Sequence, residues 1–347
     1  MIETPVVLIG FNRPDHTART LEAIRRVRPG RLFLLADGPR PDRPDDEALC
    51  AAVREVMERV DWPADVEHRF SDVNLGCEGN VELGLDWVFG QVDSAIVLED
   101  DCVADPTFFT YAEELLARYR DDRRVWQIAG NAHGVPAGLF GTDSYRFSSW
   151  ASVWGWATWA DRWQQHRAAF PRTHRPGPGT PTGHEPVRTV PARPREDLLV
   201  TRAGLTHFRE AAVSDDVVTH GWDKQWWLTM MTEGALAVTP ARNLVQNIGF
   251  GAGATHGVGE RETEPAQPMP MPLRHPTQVT LDEAVERELE LELNRVGGRA
   301  ARIARRLVRS PRLRRLLRSA AHSGPAVRAA RLTSQLGRRA PRQHRQG

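Results

Sequence analysis

Three acids stand together at Glu99-Asp100-Asp101, directly after the apolar run at residues 94–98. Adjacent carboxylates repel one another, and at the end of a buried strand a bound cation relieves that repulsion. Hard oxygen ligands of this kind suit Mg²⁺ or Mn²⁺, which keep some waters and bridge to the phosphates of a nucleotide. A solvated acidic turn is the plain alternative. Asp37 closes a second apolar run, Arg31–Ala36, just before Gly38. A carboxylate there either accepts the N3–H of a uracil or simply starts a turn. Asn12 and Arg13 follow a third run at residues 6–11, and either face the same ligand or lead into a helix. Asp223 stands between Trp222 and Lys224-Gln225-Trp226-Trp227. Flanking tryptophans desolvate a carboxylate and raise its basicity, but Asp223 is equally suited to cap a helix over residues 224–232. Asp215 and Asp216 are the rival carboxylates.

These residues need elements to position them. Buried-strand runs at residues 6–11, 31–36, 65–70 and 94–98 alternate with helical patterns opened by Pro14-Asp15 and spanning residues 45–60 and 79–89. Such alternation predicts βαβ units and a mostly parallel sheet, with the ligand crevice at the carboxyl ends of the strands. Asp105-Pro106 reads as a helix start, with Phe108, Ala112, Leu115 and Tyr119 following on one face. Eight of the eleven tryptophans fall at residues 150–163 or 222–227. Their spacing fits core packing for at least half, leaving a minority for an acceptor platform. Residues 171–195 are rich in proline and glycine and read as a mobile loop. Thr280 with Glu283 forms a capping-box pattern before Leu281, Val285, Leu289 and Val296.

The 347 residues carry 45 acids and 46 Lys+Arg, for a net charge of +1. That balance hides an asymmetry. All the acids lie in residues 1–292, whose net charge is −15, and residues 293–347 carry 16 arginines and no acid. No apolar run reaches the roughly 18 residues of a spanning helix, and no basic-then-apolar leader is visible. The three cysteines, Cys50, Cys77 and Cys102, make neither a disulfide framework nor a zinc pattern. A cytoplasmic protein is the expectation.

The order of motifs resembles a family. A strand ends in FNRP (residues 11–14), another in ADG (36–38), and NLGC (74–77), IVLEDDC (96–102) and PTFFTYAEELL follow. Then come the tryptophan-rich stretch, WDKQW (222–226) and NIGFG…THG. Together they resemble the nucleotide-diphospho-sugar transferases of the A-type glycosyltransferase fold, in particular bacterial relatives of N-acetylglucosaminyltransferase I, over about residues 4–257. The resemblance implies a Rossmann-like, mostly parallel mixed sheet flanked by helices. It implies a metal-dependent, inverting transfer of a hexosyl or N-acetylhexosaminyl group from a UDP-sugar to a glycan, glycolipid or small-molecule hydroxyl. Asp101 would ligate Mn²⁺ or Mg²⁺, with Glu99 and Asp100 on the ribose or donor sugar. Asp37 would meet the uracil, and Asn12 and Arg13 would help hold the nucleotide. Asn74, Gly76 and Asn80 would form the lip of the donor site. Asp223 would be the general base, and His256 would contact the diphosphate or the metal. Where N-acetylglucosaminyltransferase I has basic residues, this chain reads Gly79-Asn80-Val81-Glu82, so the donor sugar stays open.

The domain expected is residues 1–260, divided into a nucleotide half (1–105) and an acceptor half (106–260). A linker (261–279) and a basic, amphipathic or disordered tail (280–347) complete the division. Arginines interleaved with Ile303, Leu307, Leu313, Leu316 and Leu317 suit an anionic membrane surface, and hence a peripheral protein with a lipid-linked acceptor. Without interleaved aromatics, and on an acidic body, the tail does not read as a nucleic-acid arm. Two other functions compete. A sugar-phosphate nucleotidyltransferase ordinarily carries a glycine-rich basic loop after strand one, which FNRPDHTART lacks. A membrane-bound scaffold with a degenerate transferase domain would have no need of the intact triplet and Asp223.

Overall fold

The computed structural model describes residues 2–170, 195–201, 204–205, 208–209, 221–250 and 264–296. Among these, eight strands form one sheet in the order β3-β2-β1-β4-β8-β6-β9-β7. β1 (Val6–Gly10), β2 (Arg31–Ala36), β3 (Asp65–Phe70) and β4 (Ser94–Glu99) are mutually parallel. β8 (Trp156–Trp159) runs antiparallel between β4 and β6 (Val125–Ala129). β6 is parallel to β9 (Leu236–Pro240), and β7 (Tyr145–Ser148) closes the edge antiparallel to β9. This is the mixed α/β sheet flanked by helices that the sequence predicts.

Both faces of the sheet are covered, so its central strands are apolar without alternation. Val6, Leu8, Leu34, Ile96 and Leu98 point to one face and pack under α1 (Pro14–Arg25), α2 (Asp45–Met57) and α4 (Pro106–Arg118). Val7, Ile9, Phe33, Leu35 and Val97 point to the other, beneath α3 (Gly76–Phe89), α5 (Ala160–Ala169) and α6 (Trp222–Glu233). The strand-like and helical runs of the first 118 residues take the predicted form, with trimmed ends. α2 stops at Met57, and α3 starts three residues earlier than its pattern suggests. α4 starts as expected: Asp105 Oδ1 accepts the Thr107 N–H at 2.9 Å, and Pro106 opens the helix.

The tryptophans are mostly core. Trp156 lies over Trp222 at 5.9 Å and against Trp226 at 5.5 Å, with Trp126 and Trp163 beside Trp226. Trp150 meets Trp227 at 4.5 Å in a smaller cluster with Phe140 and Phe208.

Packing on the core continues past residue 260. Met269 and Leu273, in the supposed linker, are buried in the main core, and Leu281 bridges to Phe147 of β7. The last described helix, α7 (Glu283–Val296), buries Val285 and Leu289. Its cap is Asp282 rather than Thr280: Asp282 Oδ1 accepts the N–H groups of Ala284 (3.0 Å) and Val285 (3.1 Å). The fold therefore continues into the residues expected to begin a tail. Residues 171–194 and 297–347, and with them the predicted loop and most of the basic tail, lie outside the described residues.

Candidate active site

β1, β2 and β4 end at one edge of the sheet, which brings Asn12 and Arg13, Asp37, and Glu99 through Asp101 together. The acids after β4 divide between the faces. Glu99 shares the parity of Val97 and points toward α3 and α6. There it feels the charges of Asp223 and of its own neighbours. Seclusion from water and these three acids push Glu99 up to about 8. Asp223 is half-buried in the first turn of α6. The helix starts at Trp222, behind Gly221, so Asp223 is not its cap. Cys77, at the start of α3, lies in the field of both carboxylates.

Asp100 and Asp101 turn the other way, toward α1. The Arg13 guanidinium pairs with Asp100 Oδ1 and lies 2.9 Å from Asp101 Oδ2. Burial pushes Asp100 up to about 6, with Arg13 pulling against it. Burial works against the charge of Arg13, but the two aspartates win and hold its pKa above the usual value. α1 braces this arrangement: Thr20 Oγ1 donates to the Asp100 carbonyl at 2.8 Å, and His16 Nε2 lies 3.2 Å from the Ile248 carbonyl.

The 247–250 segment reaches the acids because β5 (Cys102–Ala104) pairs antiparallel with β10 (Val245–Asn247). Asn247 Nδ2 donates to Asp101 Oδ1 at 3.3 Å, and the Ile248 N–H to the Asp101 carbonyl at 2.8 Å. Gly249 then passes so close that a Cβ there would fall 2.1 Å from Asp101 Oδ2. Glycine is what allows the 247–250 segment to approach Asp101 so closely. Asp100 and Asp101 supply hard carboxylate oxygens of the kind a divalent cation takes, and in this structure the Arg13 guanidinium lies between them. Among the described residues, no group of three or more His, Cys, Asp or Glu side chains forms a complete ligand set.

Asp37 is buried, and burial pushes it up to about 6 against the pull of neighbouring N–H groups. Its Oδ1 accepts from Gly38 (2.8 Å) and Leu75 (2.7 Å), and its Oδ2 from Asn74 Nδ2 (3.0 Å). The carboxylate therefore clamps the Asn74–Gly76 turn to the end of β2. Gly76, with φ +75°, turns the chain into α3 in a conformation that glycine adopts without strain. Asn12 Nδ2 donates to Asp46 Oδ1 at 2.8 Å, and Arg40 holds the same carboxylate, so the crevice rim is tied to the start of α2. Asn80 is buried in α3, and its Oδ1 has no partner among the described residues. His256, Asp215 and Asp216 lie outside the described residues.

Sequence reasoning did not single out Asn247, Phe250 or His133, and it took in Gly249 and Trp154 only as members of a glycine-rich and a tryptophan-rich stretch. Their only signal was the NIGFG string and the surplus of tryptophan. The Asp101–Asn247 contact spans 146 positions, beyond any local pattern.

No known protein-family pattern matches the chain, and no curated protein matches it. Solved structures do. The mannosyltransferase PcManGT from Pyrobaculum calidifontis, in complex with GDP-Man and Mn²⁺, is 11% identical, with a TM-score of 0.36 over 67% of this chain and 73% of that one. The 4-diphosphocytidyl-2C-methyl-D-erythritol synthase from Anaerococcus prevotii is 10% identical, with a TM-score of 0.31 over 50% of this chain and 79% of that one. An active-site mutant of LgtC is 10% identical, with a TM-score of 0.29 over 47% of this chain and 60% of that one.

Proposed function

We propose that the chain is a metal-dependent, inverting glycosyltransferase that moves a hexosyl or N-acetylhexosaminyl group from a UDP-sugar to an acceptor hydroxyl. The observation that carries this reading is that Arg13 gathers Asp100 and Asp101 at the strand edge where Glu99 lies in the field of Asp223. A base on one side of that strand end and a diphosphate-binding corner on the other would suit displacement with inversion.

Asp223 takes the proton of the acceptor hydroxyl as its oxygen attacks the anomeric carbon from the face away from the nucleotide. The bond from that carbon to the diphosphate oxygen breaks, and its electron pair leaves with the phosphate. Asp101 would hold Mn²⁺ or Mg²⁺, leaving the rest of the ion's shell to phosphates and water. A bound divalent ion supplies charge stabilisation to the departing diphosphate. Arg13 adds a fixed positive charge beside it. Asp37 Oδ2, which accepts from Asn74, would also take the uracil N3–H. Asn12, Asn74, Gly76 and Asn80 shape the donor side, Glu99 and Asp100 address the ribose or donor sugar, and His256 reaches the diphosphate or metal. A glycan or lipid-linked acceptor suits the basic tail.

The test is Asp223→Asn in the full-length chain. UDP binding with Mn²⁺ should match the unaltered protein, while UDP release from UDP-sugars in the presence of a glycoside panel should fall about 10²- to 10⁴-fold. Undiminished turnover would remove Asp223 from the role.

A further inference from the structure

We infer that the acceptor is a carbohydrate whose terminal pyranose ring lies on an aromatic shelf made by Trp154 and Phe250, with His133 at its rim. This rests on the transferase reading above. Of the eight tryptophans in the two clusters, seven are buried; Trp154 is left partly exposed. It lies just ahead of β8. Because β8 runs antiparallel to β4 and β6, its leading residues emerge at the edge where those strands end. Trp154 is therefore on the same rim as Glu99 and Asp101.

Two neighbours fix the shelf. Phe250 stands edge-on to Trp154 at 5.4 Å, and it follows Gly249, which lies against Asp101 Oδ2. The His133 imidazole lies 5.0 Å from the indole, tilted by 37° to it. His133 is held with φ +49°, an uncommon conformation for a residue with a side chain. Asn131 Oδ1 accepts its N–H at 2.7 Å, and Ser152 Oγ lies 2.6 Å from its Nε2. Asn131 thus fixes the His133 backbone and Ser152 its imidazole, and strained residues so constrained cluster at ligand clamps. A pyranose suits this surface: its C–H face is apolar and lies flat on a ring, while its hydroxyls project outward to polar groups at the edge. An acyclic polyol or a peptide hydroxyl offers no such face.

Saturation-transfer NMR on the full-length protein tests this with methyl α-D-glucopyranoside, methyl α-D-galactopyranoside and methyl α-D-mannopyranoside, and with glycerol as the acyclic control. The unaltered protein should transfer saturation to the ring C–H protons of at least one glycoside and not to glycerol. Trp154→Leu should lose the signal, Trp154→Phe should keep part of it, and His133→Gln should weaken binding at least tenfold. Equal signals from Trp154→Leu and the unaltered protein, or no signal from any glycoside, would overturn the inference. The UDP-induced melting shift, measured in the same samples, should survive Trp154→Leu. Loss of that shift in the unaltered protein would instead defeat the donor reading, so the two failures are distinguishable.

Discussion

Asp101 has one carboxylate oxygen tied to Asn247 and the other 2.9 Å from Arg13, with Gly249 packed against it. The packing at Gly249 leaves no room for a side chain. Gly249→Ala would set a methyl group 2.1 Å from Asp101 Oδ2, so the carboxylate or the 247–250 segment must shift. We expect Mn²⁺-dependent UDP affinity to fall at least tenfold, measured by calorimetric titration, with the protein still folded. Unchanged affinity would show that this oxygen takes no part in binding. At this scale the strand-end acids were legible, because a charge that interrupts a buried apolar run needs a reason. The clamp made by Asp37 was not legible. A turn role and a nucleotide role look alike in sequence, and only the hydrogen bonds from Leu75 and Asn74 reveal the clamp. Trp154 could not be singled out from its neighbours before the direction of β8 was known.

Among the elements, α7 departs furthest from its sequence. Glu286 and Glu290 read as the wet side of an amphipathic helix, yet both are fully buried. Glu286 accepts the Ser149 N–H at 2.7 Å and its hydroxyl at 2.6 Å, while Glu290 accepts the N–H groups of Val200 and Thr201 at 2.8 and 2.7 Å. Backbone donors more than 80 positions away make these burials possible, and no periodicity encodes them. Burial pushes Glu286 up to about 7 from an ordinary 4.5. Between those values the unfolded chain releases a proton that the folded chain keeps, so stability falls as pH rises through this window. Below it the penalty vanishes; above about 7 it is fully present. Glu286→Gln retains both bonds, with the amide oxygen taking the Ser149 N–H and the amide nitrogen donating to the hydroxyl. Its melting temperature should therefore decline less between pH 5 and pH 8 than that of the unaltered protein. The difference in stability should be on the order of 1–3 kcal/mol. Parallel curves would show that Glu286 does not titrate there. By contrast, β1 to β4 and α1 to α4 were readable because they are built from short-range signals: apolar runs, a capping Asp105 and a proline at the first turn.

For the whole molecule, charge and fold divide at different points. The fold runs through α7, while the acids stop at Glu292 and the arginines take over. No helix among the described residues is long and apolar enough to cross a membrane. We propose, on its charge alone, that the arginine-rich segment contacts an anionic surface. Truncation after residue 296 spares the described fold and should abolish co-sedimentation with vesicles containing phosphatidylglycerol. Equal sedimentation by the truncated chain would rule out the tail as anchor. The sequence carried the α/β class and the existence of a basic tail, but not where the packed fold ends, because residues 264–281 hold few apolar positions and no regular period. The central claim is a nucleotide-diphosphate site with Asp101 as its metal ligand. Thermal melting in UDP, GDP, dTDP and CDP, each with Mn²⁺ and with chelator, tests it most directly. At 100 times its dissociation constant a ligand stabilises by about 2.7 kcal/mol, which melting resolves easily. A shift with UDP and Mn²⁺ is expected that chelator abolishes and that Asp101→Ala lacks. No shift with any nucleotide, or an undiminished one in Asp101→Ala, would contradict it.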